Sequence, residues 1–138
     1  MNMVSFASLA NAEIIEVELI PLTGDAQRVR LLVDSGFTGT SSLVLPRDFA
    51  EFIRADLPEA ESSGALHGFQ KRGWVSCQVL GMSSHQTVIA IFTDISVLSL
   101  PESVVGMVGL TFLRQFSQWG AVLTATGWQF SLTEPTNP

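Results

Sequence analysis

Aliphatic and polar positions alternate with a period of two along the first part of the chain. From Ile14 to Ile20, Ile15, Val17 and Leu19 fall on one side and Glu16 and Glu18 on the other, which predicts a strand with one wet face. Thr23-Gly24-Asp25 reads as a turn. Gln27 to Val33 returns as a partner strand, polar at its start and wholly apolar at Leu31-Leu32-Val33. Ser42 to Leu45 predicts a short strand stopped by Pro46. Arg47 to Arg54 predicts a helix, with Phe49, Phe52 and Ile53 on one side and Arg47 and Glu51 paired at i,i+4. Residues 58–63 read as a polar linker. Gly64–Gln70 and Gly73–Leu80 predict two strands joined at Lys71-Arg72. The continuous apolar run in Thr87 to Phe92 predicts a buried strand. Gln118–Thr124 and Trp128–Leu132, around a Thr126-Gly127 turn, predict a closing hairpin in which Trp119 and Trp128 anchor the core or an interface. The whole reads as mainly β, with one or two short helices.

A chain of 138 residues is the length of one domain with a real core. The expected organisation is an N-terminal segment over 1–12 that serves as an interface strand, a domain over 13–133, and a tail over 134–138. Hydrophobic residues make up 46% of the chain and charged residues only 14%. That balance predicts either a large buried fraction or an apolar surface covered by a partner, and the second would make the chain an oligomer. The formal net charge of −6 argues against nucleic acid, whose phosphates require clustered Lys and Arg. No apolar run reaches the length of a membrane span. Residues 1–12 lack a basic leader region and read as a cytoplasmic N-terminus. One cysteine, Cys77, excludes an internal disulfide and sits in an alternating strand as a buried thiol. With two scattered histidines it offers no metal-ligand spacing, so neither metal nor cofactor is expected.

The candidate chemistry lies in Leu31-Leu32-Val33-Asp34-Ser35-Gly36-Phe37-Thr38-Gly39-Thr40. An apolar strand delivers one carboxylate to a loop of small residues. Asp is depleted in strands and costly to bury unpaired, so its position needs a reason. The plain reading is an Asx-type turn in which the carboxylate accepts loop amides. Far downstream, Val104-Val105-Gly106-Met107-Val108-Gly109-Leu110 ends an apolar strand on a glycine and leads into Thr111-Phe112-Leu113-Arg114. A strand that ends in Gly lets its backbone pass beneath the Asp34 loop with no side chain in the way.

In this order the two motifs resemble those of the single-lobed, retropepsin-like aspartic proteases. The resemblance implies a closed barrel or sandwich of short strands, working as a twofold dimer. Asp34, Ser35 and Gly36 would be the catalytic turn, and Met107, Val108 and Gly109 the structural motif beneath it. A hairpin between the two motifs would be the flap over a peptide substrate. Its tip would be either Ala65–Phe69 or the Gln70–Gly73 turn. Phe37, Thr38, Leu66, His67, Gly68 and Phe69 would touch substrate. The chain has no tyrosine, so a flap Tyr is absent.

The Asp-Ser-Gly stretch occurs once. Hydrolysis of this type uses two carboxylates that share a proton, because like charges so close cannot both ionise. The second carboxylate is therefore expected from a second copy of the chain, with Asp34 facing Asp34 across a twofold axis. A mildly acidic optimum, roughly pH 4 to 6, goes with such a pair. One alternative keeps the fold without the chemistry, as a silent dimerisation or peptide-binding module. Another rests on Asp34, Gly36 and Thr38, whose spacing also resembles the phosphate loop of the actin and sugar-kinase superfamily. That fold needs two large lobes and a second Asp-Gly loop, and the chain has neither.

Overall fold

The computed structural model describes residues 2–62 and 68–135. The stretches of period two become β2 (Ile14–Ile20) and β3 (Gln27–Val33), preceded by β1 (Met3–Ala7). β4 (Leu43–Pro46), β5 (Ala55–Ser62), β6 (Gly68–Val79), β7 (Gln86–Thr93) and β8 (Val104–Val108) follow, and the chain closes with β9 (Gln118–Thr124) and β10 (Gly127–Thr133). Among the described residues, helix is confined to 3-10 turns at Arg47–Phe52 and Ile95–Val97 and one α-helical turn, α1 (Leu110–Leu113).

Six strands in the order β2-β3-β8-β4-β7-β6 form a barrel that closes where β6 returns to β2, with Val17 opposite Val79 and Ile20 opposite Ser76. Closure leaves no barrel edge exposed. Ile15, Val17 and Leu19 of β2 are fully buried, with Leu31, Leu43, Leu45, Val75, Cys77 and Phe92. The alternation in β2 thus sets the inward face of the barrel.

The segment after β4 departs from expectation in three ways. The predicted helix over Arg47–Arg54 is a 3-10 helix that ends at Phe52. Three residues per turn do not align i with i+4, and the expected Arg47–Glu51 pair is not among the ion pairs of the described residues. The polar linker over 58–63 lies instead mostly within β5, which extends to Ser62. Lys71-Arg72 is not a turn either, because β6 runs unbroken for 12 residues. Lys71 Nζ reaches Asp56 Oδ1 at 3.3 Å, and Arg72 Nη2 donates to the Pro58 carbonyl at 3.1 Å. The basic pair therefore ties β6 to β5. Gly73 gave the turn signal for a different reason: a Cβ there would lie 2.7 Å from Ile53 Cγ2. The glycine marks a close approach rather than a bend.

A second sheet, in the order β1-β10-β9, packs beside the barrel. Val4 pairs with Leu132 and Phe6 with Phe130. The N-terminal segment thus pairs with β10 of its own chain. On the inner face of this sheet Phe6, Phe130 and Leu132 are buried, but Trp119 and Trp128 are 38% and 53% exposed. Neither tryptophan is a core anchor. α1 buries Phe112 and Leu113, with Phe116 just beyond it, while Leu110 is half-buried.

Candidate active site

Asp34 follows directly on β3, at the point where β8 is gripped from both sides. Val108 lies beside Val33 of β3 in parallel register and beside Leu43 of β4 in antiparallel register. The loop from Asp34 to Ser42 joins those two neighbours, so it must arch across the end of β8. The Asp34 amide donates to the Val108 carbonyl at 2.9 Å, and the Gly109 amide donates to the Ser42 carbonyl at 2.9 Å. The Leu110 amide donates to the Phe37 carbonyl at 2.9 Å. Thr111 Oγ1 donates to the Gly39 carbonyl. Asp34, Phe37, Gly39 and Ser42 are thus each tied to the segment that runs from β8 into α1.

Two glycines make this geometry possible for different reasons. Gly39 has φ +116°, in the region that side-chain-bearing residues rarely adopt. Gly109 has extended backbone, and its role is space: a Cβ would lie 2.6 Å from the Phe37 carbonyl oxygen. Gly36 has no positive φ, and a Cβ on it would lie 3.2 Å from Asp34 Oδ1.

The Asp34 carboxylate is half-buried, and its Oδ1 accepts the Gly36 amide at 3.0 Å. The Phe37 amide donates to the Asp34 carbonyl at 3.0 Å. Ser35, Gly36 and Thr38 are exposed. Phe37 is half-buried in a small apolar cluster with Val44, Met107, Leu32, Leu98 and Leu100, separate from the main core. Met107 and Val108 are buried in β8. Leu66 and His67 lie outside the described residues. Gly68 and Phe69 begin β6, with Gly68 opposite Ser62 and Phe69 opposite Glu61. The 70–73 alternative for the hairpin tip is excluded because those residues lie within β6.

Of the other aspartates, Asp56 pairs with Lys71, and Asp94 accepts the Ser96 amide at 3.0 Å as the cap of the second 3-10 helix. That hydrogen bond, helped by the nearby Arg47 charge, holds the Asp94 carboxyl below its ordinary value. Neither belongs to the Asp34 loop. Cys77 is fully buried and its thiol is pushed up to about 12 by burial, so it supplies no thiolate. Among the described residues no three His, Cys, Asp or Glu side chains converge as a metal site. No helix among them is long and apolar enough to cross a membrane.

Sequence reasoning missed Thr111 as a tie on the loop, and Leu98 and Leu100 as partners of Phe37. The place of Thr111 two residues after Gly109 was a usable signal, because a hydroxyl there lies near the loop that Gly109 admits. Leu98 and Leu100 carry no such signal, since only the fold brings the 94–103 connection beside Phe37. No protein-family model matches the chain, and no curated protein matches it.

Proposed function

We propose that the chain is an aspartic endopeptidase of the retropepsin-like kind, active as a homodimer. The observation that carries the reading is the anchoring of the Asp34 loop on β8 and α1, with Gly109 packed against Phe37. A loop held at so many points keeps a carboxylate in one orientation, which positioned acid-base chemistry requires. A chain with one such loop supplies half a site, and a twofold pair supplies two Asp34 carboxylates.

In the pair, one carboxylate takes a proton from water as the water oxygen attacks the peptide carbonyl carbon. The protonated partner donates to the carbonyl oxygen, giving a neutral tetrahedral gem-diol. In the collapse of that intermediate the ionised carboxylate takes a proton from one gem-diol hydroxyl, the C=O re-forms and the C–N bond breaks. The protonated carboxyl gives its proton to the leaving nitrogen, which returns the pair to one proton. Ser35 hydroxyls would bond across the axis and hold the carboxylates coplanar. Substrate would be a peptide, with Phe37 and Thr38 beside the reacting bond.

Incubation of purified protein with a peptide library between pH 4 and 7, beside Asp34→Asn, tests the reading. Cleavage should need Asp34, stop with a statine-type hydroxyl that mimics the gem-diol, and ignore EDTA and thiol alkylators. Cleavage by the Asn variant at the parent rate overturns it.

A second reading has its own support. The bond from the Gly36 amide to Asp34 Oδ1 gives the carboxylate a purely structural task. On that reading the protein is a silent dimerisation or peptide-binding module, and the same library yields no cleavage.

A further inference from the structure

The sheet β1-β10-β9 is wider than the barrel surface that it covers. Its register places Trp119, Ala121 and Leu123 of β9 on the same face as Phe130, Leu132 and Trp128 of β10. Phe130 and Leu132 are buried against the barrel, and Trp119 leans on Phe130 with ring centroids 6.3 Å apart. One strand further out, no described residue covers the same face. Leu123 is 63% exposed, and Val122 on the opposite face is 49% exposed.

β9 is also an edge. Among the described residues it has a strand on one side only. Edge strands of monomeric proteins are guarded by charge, proline, bulges or shortness. Gln118–Thr124 has no charged residue and no proline, and it pairs with β10 in regular register across all seven residues. The open groove of about 730 Å³ on the outer face of the sheet, lined in part by Met3, Ser5, Gly120, Val122 and Gln129, is uncharged as well. In a chain with net charge −6, this is a surface on which two copies approach without opposing charges.

We infer that β9 is the dimerisation edge, pairing antiparallel with β9 of a second copy to make a continuous six-stranded sheet. Antiparallel pairing of a strand with itself is isologous and closes after two copies. Centred on Ala121, the middle of the strand, it sets Trp119 opposite Leu123 of the second copy twice, an aromatic–aliphatic cross-strand pair. The occupant is a second copy rather than a foreign peptide for two reasons. Its β9 carries the matching uncharged alternation, and it brings the second Asp34 that a single chain lacks. Residues 114–117 alone separate β9 from α1, so the edge begins next to the segment that anchors the Asp34 loop. The inference deepens the dimeric reading of that site, but its readout is mass rather than cleavage, so either can fail without the other.

Sedimentation and light scattering at micromolar concentration should give twice the 14.9 kDa chain mass. Leu123→Glu and Val122→Glu, on opposite faces of the edge, should each give the monomer mass with an unchanged circular dichroism spectrum. Leu22→Glu, at a leucine 68% exposed elsewhere, should remain dimeric. In the unsubstituted protein, amide exchange over Gln118–Thr124 should slow as concentration rises. A monomeric parent protein, a dimer that survives both edge substitutions, or exchange in β9 independent of concentration would each overturn the assignment.

Discussion

Gly109 and Phe37 pack so closely that a Cβ on Gly109 would lie 2.5 Å from Phe37 Cδ2 and 2.6 Å from the Phe37 carbonyl oxygen. The ring has some freedom to rotate away, but the carbonyl is held by the Leu110 amide and has none. Gly109→Ala should therefore displace the Asp34 loop, at a cost of about 1–3 kcal/mol in stability. Thermal or urea unfolding reads the cost. A variant as stable as the parent would show that the loop is not seated on Gly109.

Asp34 can be dissected by paired substitutions. Asn keeps an oxygen acceptor for the Gly36 amide, so Asp34→Asn should fold with a stability change within about 0.5 kcal/mol and lose proteolysis altogether. Asp34→Ala also removes the acceptor and should lose a further ~1 kcal/mol. If Asn and Ala destabilise equally, the Gly36 bond contributes nothing to the loop.

Thr111→Val removes the hydroxyl that donates to the Gly39 carbonyl while keeping the shape of the side chain. We expect a loss of about 1 kcal/mol in stability and a fall in peptide turnover larger than that loss explains. Thr111→Ser should restore both. An active Val variant with parent kinetics would reduce Thr111 to packing.

Glu134 joins the end of β10 to the loop after β6. Its Oε1 accepts the Ser83 amide at 2.6 Å and the Ser83 hydroxyl at 3.1 Å. The backbone bond from Ser83 is the largest cause that holds the carboxyl below its ordinary value. A carboxyl lowered on folding stabilises above its unfolded value, about 4.3, and that stabilisation fades as pH falls through the folded value. The Tm difference between the parent and Glu134→Gln should therefore be largest above about pH 5 and shrink on acidification. A difference that grows in acid would reverse the assignment.

Cys77 should resist alkylation in the native protein at pH 8 and react once the chain is unfolded, since burial pushes its thiol up to about 12. Mass spectrometry after iodoacetamide treatment reads this directly. Prompt labelling of folded protein would place Cys77 at an opening in the barrel.

The residues around Asp34 show what local sequence can carry. The alternation of Ile15, Val17 and Leu19 was enough to predict the buried face of β2, because side chains on a strand alternate whatever the strand pairs with. The placement of Asp34 at the end of an apolar run, and of Gly109 at the end of another, likewise needed no partner to be read. What the sequence left open depends on pairing between distant segments. Gly73 has the same signature as a turn glycine, and only the approach of Ile53 tells the two apart. Lys71 and Arg72 carry the pattern of a hairpin tip, but β5 lies alongside and supplies Asp56 and Pro58 as their partners. Trp119 and Trp128 read in the sequence as anchors of the core or of an interface, and only the extent of the barrel beneath the β1-β10-β9 sheet leaves them outside the core. Closure of β6 on β2 and the overhang of β9 are long-range outcomes of strand order. No period within a single segment encodes that order, so tertiary structure alone decided which apolar residues became core and which became a free edge.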